Sequence, residues 1–357
     1  MKMLNQFKSF LLILLLSAVF GCNNYETPEI EVGEFSNGVW VINEGGFSVS
    51  GELSFYSFDT EDVQNNVYAA QNGGAMPGSF LQSLTVFNNT GYLAIDNANQ
   101  VQIIDMADLR VTGQINDLAK PQQLLVVGNN KAYVSEWGED GFGTQIAVVN
   151  LSTRTITERI TVGQGPKQMI LANGSVYVLN TGGFGSDDNM TVINPTTDEV
   201  ENTITLVDGP NSMVVDAEGF IWVACSGRYA PDFSRLEVSG ALLKVDPGLG
   251  EIVERFDFES EFSSPSELAI TANGQRMYYL YNGGVYDFAI NASALNDSPL
   301  IERSFYGLGI NNRTGQLFLS DPLDFNSDGK IVIYSSAGIA LDSANVGLVP
   351  SSFYFVN

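Results

Sequence analysis

An all-β, seven-bladed propeller is the fold class that the sequence predicts, on three observations. A unit of roughly 45 residues recurs seven times between Gly38 and Asn357. The units carry short apolar runs separated by turn residues, in the pattern of successive antiparallel strands. The strand types at the two ends are complementary, so that the terminal strands complete one blade between them.

The first strand of a unit follows a proline and two polar residues: Pro121-Gln122-Gln123, Pro166-Lys167-Gln168, Pro210-Asn211-Ser212, Pro265-Ser266-Glu267 and Pro350-Ser351-Ser352. Pro77 leads a looser version through Leu84-Thr85-Val86-Phe87, and Tyr306-Gly307-Leu308-Gly309-Ile310 has no proline. A tight turn such as Asn129-Asn130, Asn173-Gly174 or Asn273-Gly274 comes next, because Asn and Gly accept positive φ. The second strand is Ala132-Tyr133-Val134 or its equivalents, and the third is Ile146-Ala147-Val148-Val149 or its equivalents. The fourth alternates, as in Val200-Glu201-Asn202-Thr203-Ile204, which suits a half-exposed outer strand. Four strands are expected in each of seven blades. Since the first unit opens on a second-type strand (Val39-Trp40-Val41-Ile42) and the last ends on a first-type strand, 350–357 should pair with 39–42. A ring closed this way has no long free edge. A sandwich pair and an open solenoid are the competing architectures.

The predicted organisation is a signal peptide over 1–21, an acidic flexible tether over 22–37 and the propeller over 38–357. Lys2 and Lys8 precede an apolar run from Phe10 to Phe20, too short to span a bilayer and arranged as a secretory signal. Val19-Phe20-Gly21-Cys22 resembles a bacterial lipobox, with Cys22 the acylated residue; a plain signal with an incidental Cys22 is the alternative. Cys225 is then the one remaining thiol and reads as a small buried hydrophobe. The chain carries 16 basic against 41 acidic residues, and loss of the signal lysines takes the net charge to about −27. Such a surface disfavours nucleic acid, whose phosphates need basic partners. A monomer is expected.

The sequence contains no histidine. That removes the Ser-His-Asp and Cys-His arrangements and histidine-ligated metals. Chemistry must lie elsewhere, and the asymmetry of loop length points to where. Connections between second and third strands are long, over 43–51, 136–145, 180–189, 226–239 and 320–330, and emerge on the same mouth as the proline-led starts. The loops of this mouth hold Phe47, Trp137, Phe142, Phe184, Tyr229, Phe233 and Phe325 beside Asn43, Glu44, Asp96, Asn97, Glu136, Asn180, Arg228 and Asp321. Aromatic rings among amides and carboxylates make a binding surface; alternatively they pack their own loops. A ligand site is expected at Trp137, Phe142, Phe184, Arg228, Tyr229 and Phe233, with Asn180, Gln168 and Asn211 toward the axis. The polar pairs after the prolines either meet a neutral ligand or hydrate an axial channel. Asp324, Asn326 and Asp328 fit the spacing of a calcium loop without its twelfth-position glutamate, leaving a structural calcium or an ordinary turn open.

Ala132-Tyr133-Val134-Ser135, Val176-Tyr177-Val178-Leu179-Asn180 and the Gly163-to-Pro166 and Gly209-Pro210 lead-ins resemble the YVTN repeat family of WD40-like bacterial propellers, although Phe220-Ile221-Trp222-Val223 departs from the tetrapeptide. With the lipobox, the opening Trp40-Val41-Ile42-Asn43-Glu44-Gly45 and the closing Gly329-Lys330-Ile331-Val332-Ile333-Tyr334, the chain looks like the YncE-like surface lipoproteins of Bacteroidota. Some of these resemble cobalamin-capturing propellers that sit over TonB-dependent transporters. The resemblance implies a non-catalytic lipoprotein on the outer-membrane surface, presenting a corrinoid or siderophore-like chelate to a transporter. An adhesion or protein-interaction scaffold and a calcium-dependent lactonase-like hydrolase are the alternatives.

Overall fold

The computed structural model describes residues 35–356, so the signal peptide, Cys22 and most of the tether lie outside the described residues. Seven antiparallel sheets follow one another as blades. Blade 1 runs over Leu81–Phe87, Thr90–Ile95, Gln100–Asp105 and Val111–Ile115, and blades 2 and 3 span 121–161 and 166–205. Blade 4 covers 210–257, blade 5 covers 266–289 and blade 6 covers 307–348. Blade 7 joins the two ends of the fold: Pro350–Val356 pairs with Gly38–Asn43, which pairs with Glu52–Ser57 and then Val63–Gln64. The expected closure is therefore present, with Trp40 opposite Tyr354 and Val41 opposite Phe353.

The apolar pattern explains the layering. Second and third strands are buried along nearly their whole length, as in Ser175–Asn180 and Asn189–Asn194, because a neighbouring blade covers each of their faces. Outer strands such as Glu199–Thr205 are exposed except at Ile204. The core consequently lies between blades. One cluster joins Tyr177, Met190 and Ile204 of blade 3 to Met213, Val223 and Leu243 of blade 4, and another joins Phe318 and Ile331 of blade 6 to Val39 and Val41 of blade 7.

Two expectations need correction. Residues 35–37 belong to the ring, not to the tether: Phe35 is buried against Trp40 and Phe55, at ring distances of 4.9 and 5.1 Å. Asn37 accepts the Phe58 amide through its carbonyl and donates its side-chain amide to Asp59. Blade 5 has three strands, not four. The segment after Ala289 reads Ile290-Asn291-Ala292-Ser293-Ala294-Leu295-Asn296-Asp297-Ser298-Pro299, whose polar turn-formers lack the alternation an outer strand needs.

At the junction of blades 6 and 7 the backbones meet closely. A Cβ on Gly307 would lie 1.9 Å from the Ser351 carbonyl oxygen, and one on Gly309 would lie 2.9 Å from the Phe353 ring. Gly307→Ala is therefore expected to force the closing strand outward and to cost about 1–3 kcal/mol, as overpacking does, read as a lower thermal midpoint. An unchanged midpoint would show that the closing strand is not held there. Deletion from Pro350 onward should free an edge on blade 7 and produce aggregation, measured by light scattering.

Candidate functional site

Trp137 opens the long loop of blade 2. Its amide donates to the Lys120 carbonyl (3.2 Å) and that of Gly138 to Ala119 (3.0 Å), which ties the loop to the start of the inner strand and hence to the mouth. The loop is then bonded to its counterpart in blade 3: Gly165 donates to Gly143 (2.7 Å) and Phe184 to Gly141 (3.1 Å). Phe184 lies over Gly141, where an added Cβ would come 2.1 Å from the ring; only glycine allows that approach, at a φ of +83°. Trp137 and Phe142 meet Phe184 edge-on, at 5.8 and 6.3 Å. The result is one aromatic ledge built from two blades. Phe142 is 46% and Phe184 65% exposed, whereas Trp137 is half-buried with its indole N–H lacking a partner.

Arg228, Tyr229 and Phe233 form a separate ledge. Arg228–Tyr229 pairs with Leu236–Val238 in a small hairpin that leans toward blade 5: Leu236 donates to the Glu261 carbonyl (2.8 Å) and Tyr229 Oη to the Phe262 carbonyl (3.4 Å). Asp208 connects the two ledges, accepting from Ser186 Oγ (3.1 Å) and pairing with Arg228 (3.0 Å). Further exposed rings continue the collar, with Phe47 against Phe80 and Tyr306 against Phe325.

The axial residues serve another purpose than the sequence implied. Gln168 bonds blade 4 with both ends of its amide, accepting the Met213 N–H (2.7 Å) and donating to the Met213 carbonyl (3.1 Å). Gln123 accepts the Met169 N–H (2.6 Å), Ser212 accepts that of Leu268 (2.9 Å), and Asn211 donates to the Pro265 carbonyl (2.9 Å). These side chains stitch each inner strand to the next. Asn211 Oδ1 stays unpartnered. Asn180 is fully buried, its amide donating to Asn189 (2.7 Å) and Thr191 (2.9 Å) within blade 3. Asp324 Oδ1 accepts the amides of Asn326 (3.0 Å) and Ser327 (2.8 Å), so this carboxylate serves its own turn. Among the described residues no three Asp, Glu or Cys side chains are grouped to hold a metal ion.

Glu44 and Glu267 face the mouth near the axis. Tyr306 Oη donates to Glu44 (3.4 Å), and Ser351 also bonds it. Burial pushes the Glu44 carboxyl above the ordinary range, opposed by the charge of Lys167. Glu267 is raised by burial and by Glu44, again opposed by Lys167. Its backbone is left-handed, at a φ of +51°, at the irregularity between Ser266 and Ala269. The Tyr306 hydroxyl is held protonated by burial and by both carboxylates. This axial group of two acids, one lysine and a phenol was only partly visible in the sequence: Glu267 stands in the proline-led repeat, but nothing local places Glu44 or Tyr306 beside it.

The family described as a domain of unknown function, DUF5074, matches residues 37–326, nearly the whole ring. The chain belongs to the DUF5074 family. Among solved structures, this DUF5074 propeller resembles a quinoprotein alcohol dehydrogenase-like protein from Bacteroides thetaiotaomicron, with 16% identity over 90% of this chain and 79% of that one and a TM-score of 0.69. The periplasmic gluconolactonase of Pseudomonas aeruginosa matches with 12% identity over 90% and 99% and a TM-score of 0.66. A functionally unknown protein from Desulfotomaculum acetoxidans matches with 11% identity over the same shares and the same TM-score. At such identities the likeness is one of fold. No curated protein matches the chain.

The raised carboxyls set a pH dependence. A glutamate whose folded-state pKa lies above its ordinary 4.5 binds its proton more tightly when folded, so its ionisation weighs against the fold at higher pH. Glu267→Gln is therefore expected to raise the thermal midpoint at pH 7, with the gain vanishing as pH falls below the ordinary glutamate value. A gain that persists unchanged at acid pH would contradict the burial of that charge.

Proposed function

We propose that this propeller is a lipid-anchored protein of the outer-membrane surface that captures a small nutrient on its mouth for a TonB-dependent transporter. The observation that carries the reading is the Trp137–Phe142–Phe184 ledge, where two exposed rings and a half-buried indole with an unpartnered N–H lie on one rigid platform. Exposed rings on a fixed scaffold bury large area on binding at small entropic cost. The axis bears on which nutrient is taken. Glu44 and Glu267 outnumber Lys167, so a polyanionic siderophore meets repulsion, whereas an amide-rich corrinoid can donate hydrogen bonds to the carboxylates.

Calorimetry against cobalamin, cobinamide and ferric siderophores tests this. A corrinoid is expected to bind, and Trp137→Ala and Phe184→Ala should each weaken it by roughly thirtyfold, the usual cost of losing an aromatic anchor. Phe233→Ala, on the other ledge, should matter less. Binding that survives both ledge substitutions moves the site elsewhere, and no binding to any probe favours an adhesion or interaction scaffold. Cys22→Ala should release the protein from the membrane fraction, since one acylated cysteine is the proposed anchor; retention in the pellet counts against it.

A hydrolytic reading draws on the Glu44–Glu267–Tyr306 group and on the gluconolactonase of like fold. Lactone hydrolysis that disappears in Glu267→Gln would put it ahead of capture.

A further inference from the structure

The missing fourth strand of blade 5 leaves a second recess, away from the aromatic ledge. After Ala289 the chain crosses the outer side of the blade, tied to it by Asn296 Nδ2 donating to the Asp287 carbonyl (2.8 Å) and by a bridge between Val285 and Ile301, with Leu300 donating to the Val285 carbonyl (2.8 Å). Between this segment and the last strand of blade 4 (Glu251–Asp257) lies a cleft of about 580 Å³. That volume lies within the range of small-molecule sites.

Its wall is a continuous array of rings. Tyr279 and Tyr286 are stacked, 5.6 Å apart and 12° from parallel. Tyr281 joins Phe258 to Tyr286, at 4.5 and 5.6 Å. Tyr281 Oη is occupied, accepting the Ser260 amide (3.1 Å). Tyr279 differs: it is 1% exposed, it lines the cleft, and its hydroxyl has no partner. A buried phenol left unpaired costs on the order of 1–3 kcal/mol, so the position calls for a polar group that the chain itself does not supply.

Charge narrows the choice of occupant. The cleft is lined by three carboxylates, Asp257, Glu259 and Asp297, and by no lysine or arginine. Arg255 pairs with Asp257 (2.6 Å), while Glu259 and Asp297 make no ion pair among the described residues. Aromatic faces carry negative charge density and attract cations, more so where water is thinned, and the chain has a formal net charge of −25. A neutral sugar can donate its hydroxyls to these carboxylates but gains no ionic attraction from them or from the acidic surface. A quaternary ammonium has no N–H to give to Tyr279.

We infer that the cleft between blades 4 and 5 binds a small organic cation bearing N–H groups, an alkylammonium or guanidinium, with its carbon chain on the tyrosine wall, one N–H on Tyr279 Oη and its charge toward Glu259 and Asp297. This site is independent of the reading proposed for the mouth.

The experiment is calorimetric and NMR titration of the full chain with agmatine, putrescine, tetramethylammonium and methyl glucoside. Agmatine and putrescine are expected to bind, and tetramethylammonium and the glucoside at least tenfold more weakly. Tyr279→Phe, which removes only the hydroxyl, should weaken agmatine roughly tenfold. The exposed double variant Glu259→Gln/Asp297→Asn should weaken it further and flatten its salt dependence; being on the surface, it keeps the test valid where a wall variant such as Tyr286→Ala fails to fold. Absence of amine binding, preference for the glucoside, or amine binding unchanged in both variants overturns the assignment.

Discussion

The ring depends on how neighbouring inner strands are joined. Strands that radiate about an axis diverge, so the backbone ladder that holds a blade together does not continue into the next one. Side chains supply the link. Gln123, Gln168 and Ser212 each reach across to satisfy a main-chain N–H of the following blade, and Gln168 satisfies the carbonyl of the same residue as well. Ser83 and Thr85 donate to the Gln122 and Leu124 carbonyls in the same manner. Where blades 6 and 7 meet, close approach replaces the stitch, and glycine is the residue that permits it.

This use of polar side chains decides what the mouth can offer. Amides spent on holding blades together are not available to a ligand, and burial raises the worth of each such bond because the groups it pairs would otherwise be unsatisfied. What remains near the axis is mostly charge: Glu44, Glu267 and Lys167, with Tyr306 beside them. Apolar contact is supplied farther out, by loops that neighbouring blades brace against each other.

Much of the fold was legible because each layer of a blade writes its own pattern. Buried middle strands give continuous apolar runs such as Val176-Tyr177-Val178-Leu179, and outer strands alternate. The complementary ends announced the shared blade. Blade 5 broke the pattern because one strand can be replaced by an irregular segment while the two cores beside it stay filled. At the candidate site, loop length and aromatic content pointed to the loops that bring Trp137, Phe142 and Phe184 together. Sequence adjacency did not show that Arg228, Tyr229 and Phe233 stand on a hairpin of their own, because a hairpin chooses its side by long-range bonds such as Leu236 to Glu261. The spacing of Gln168 and Asn211 showed that they approach the axis; it carried no information on whether a neighbouring backbone would claim their amides first.

The shared blade also orders events in time. Gly38 and Val356 are register partners across almost the whole length of the fold, so the contact that completes the ring joins the first described strand to the last. Until the intervening blades are in place the inner edge of Gly38–Asn43 stays open, and the incomplete ring is an arc whose leading edge can recruit any passing strand. Local hairpins within each blade form in microseconds, and the slow, vulnerable step is the meeting of the two ends.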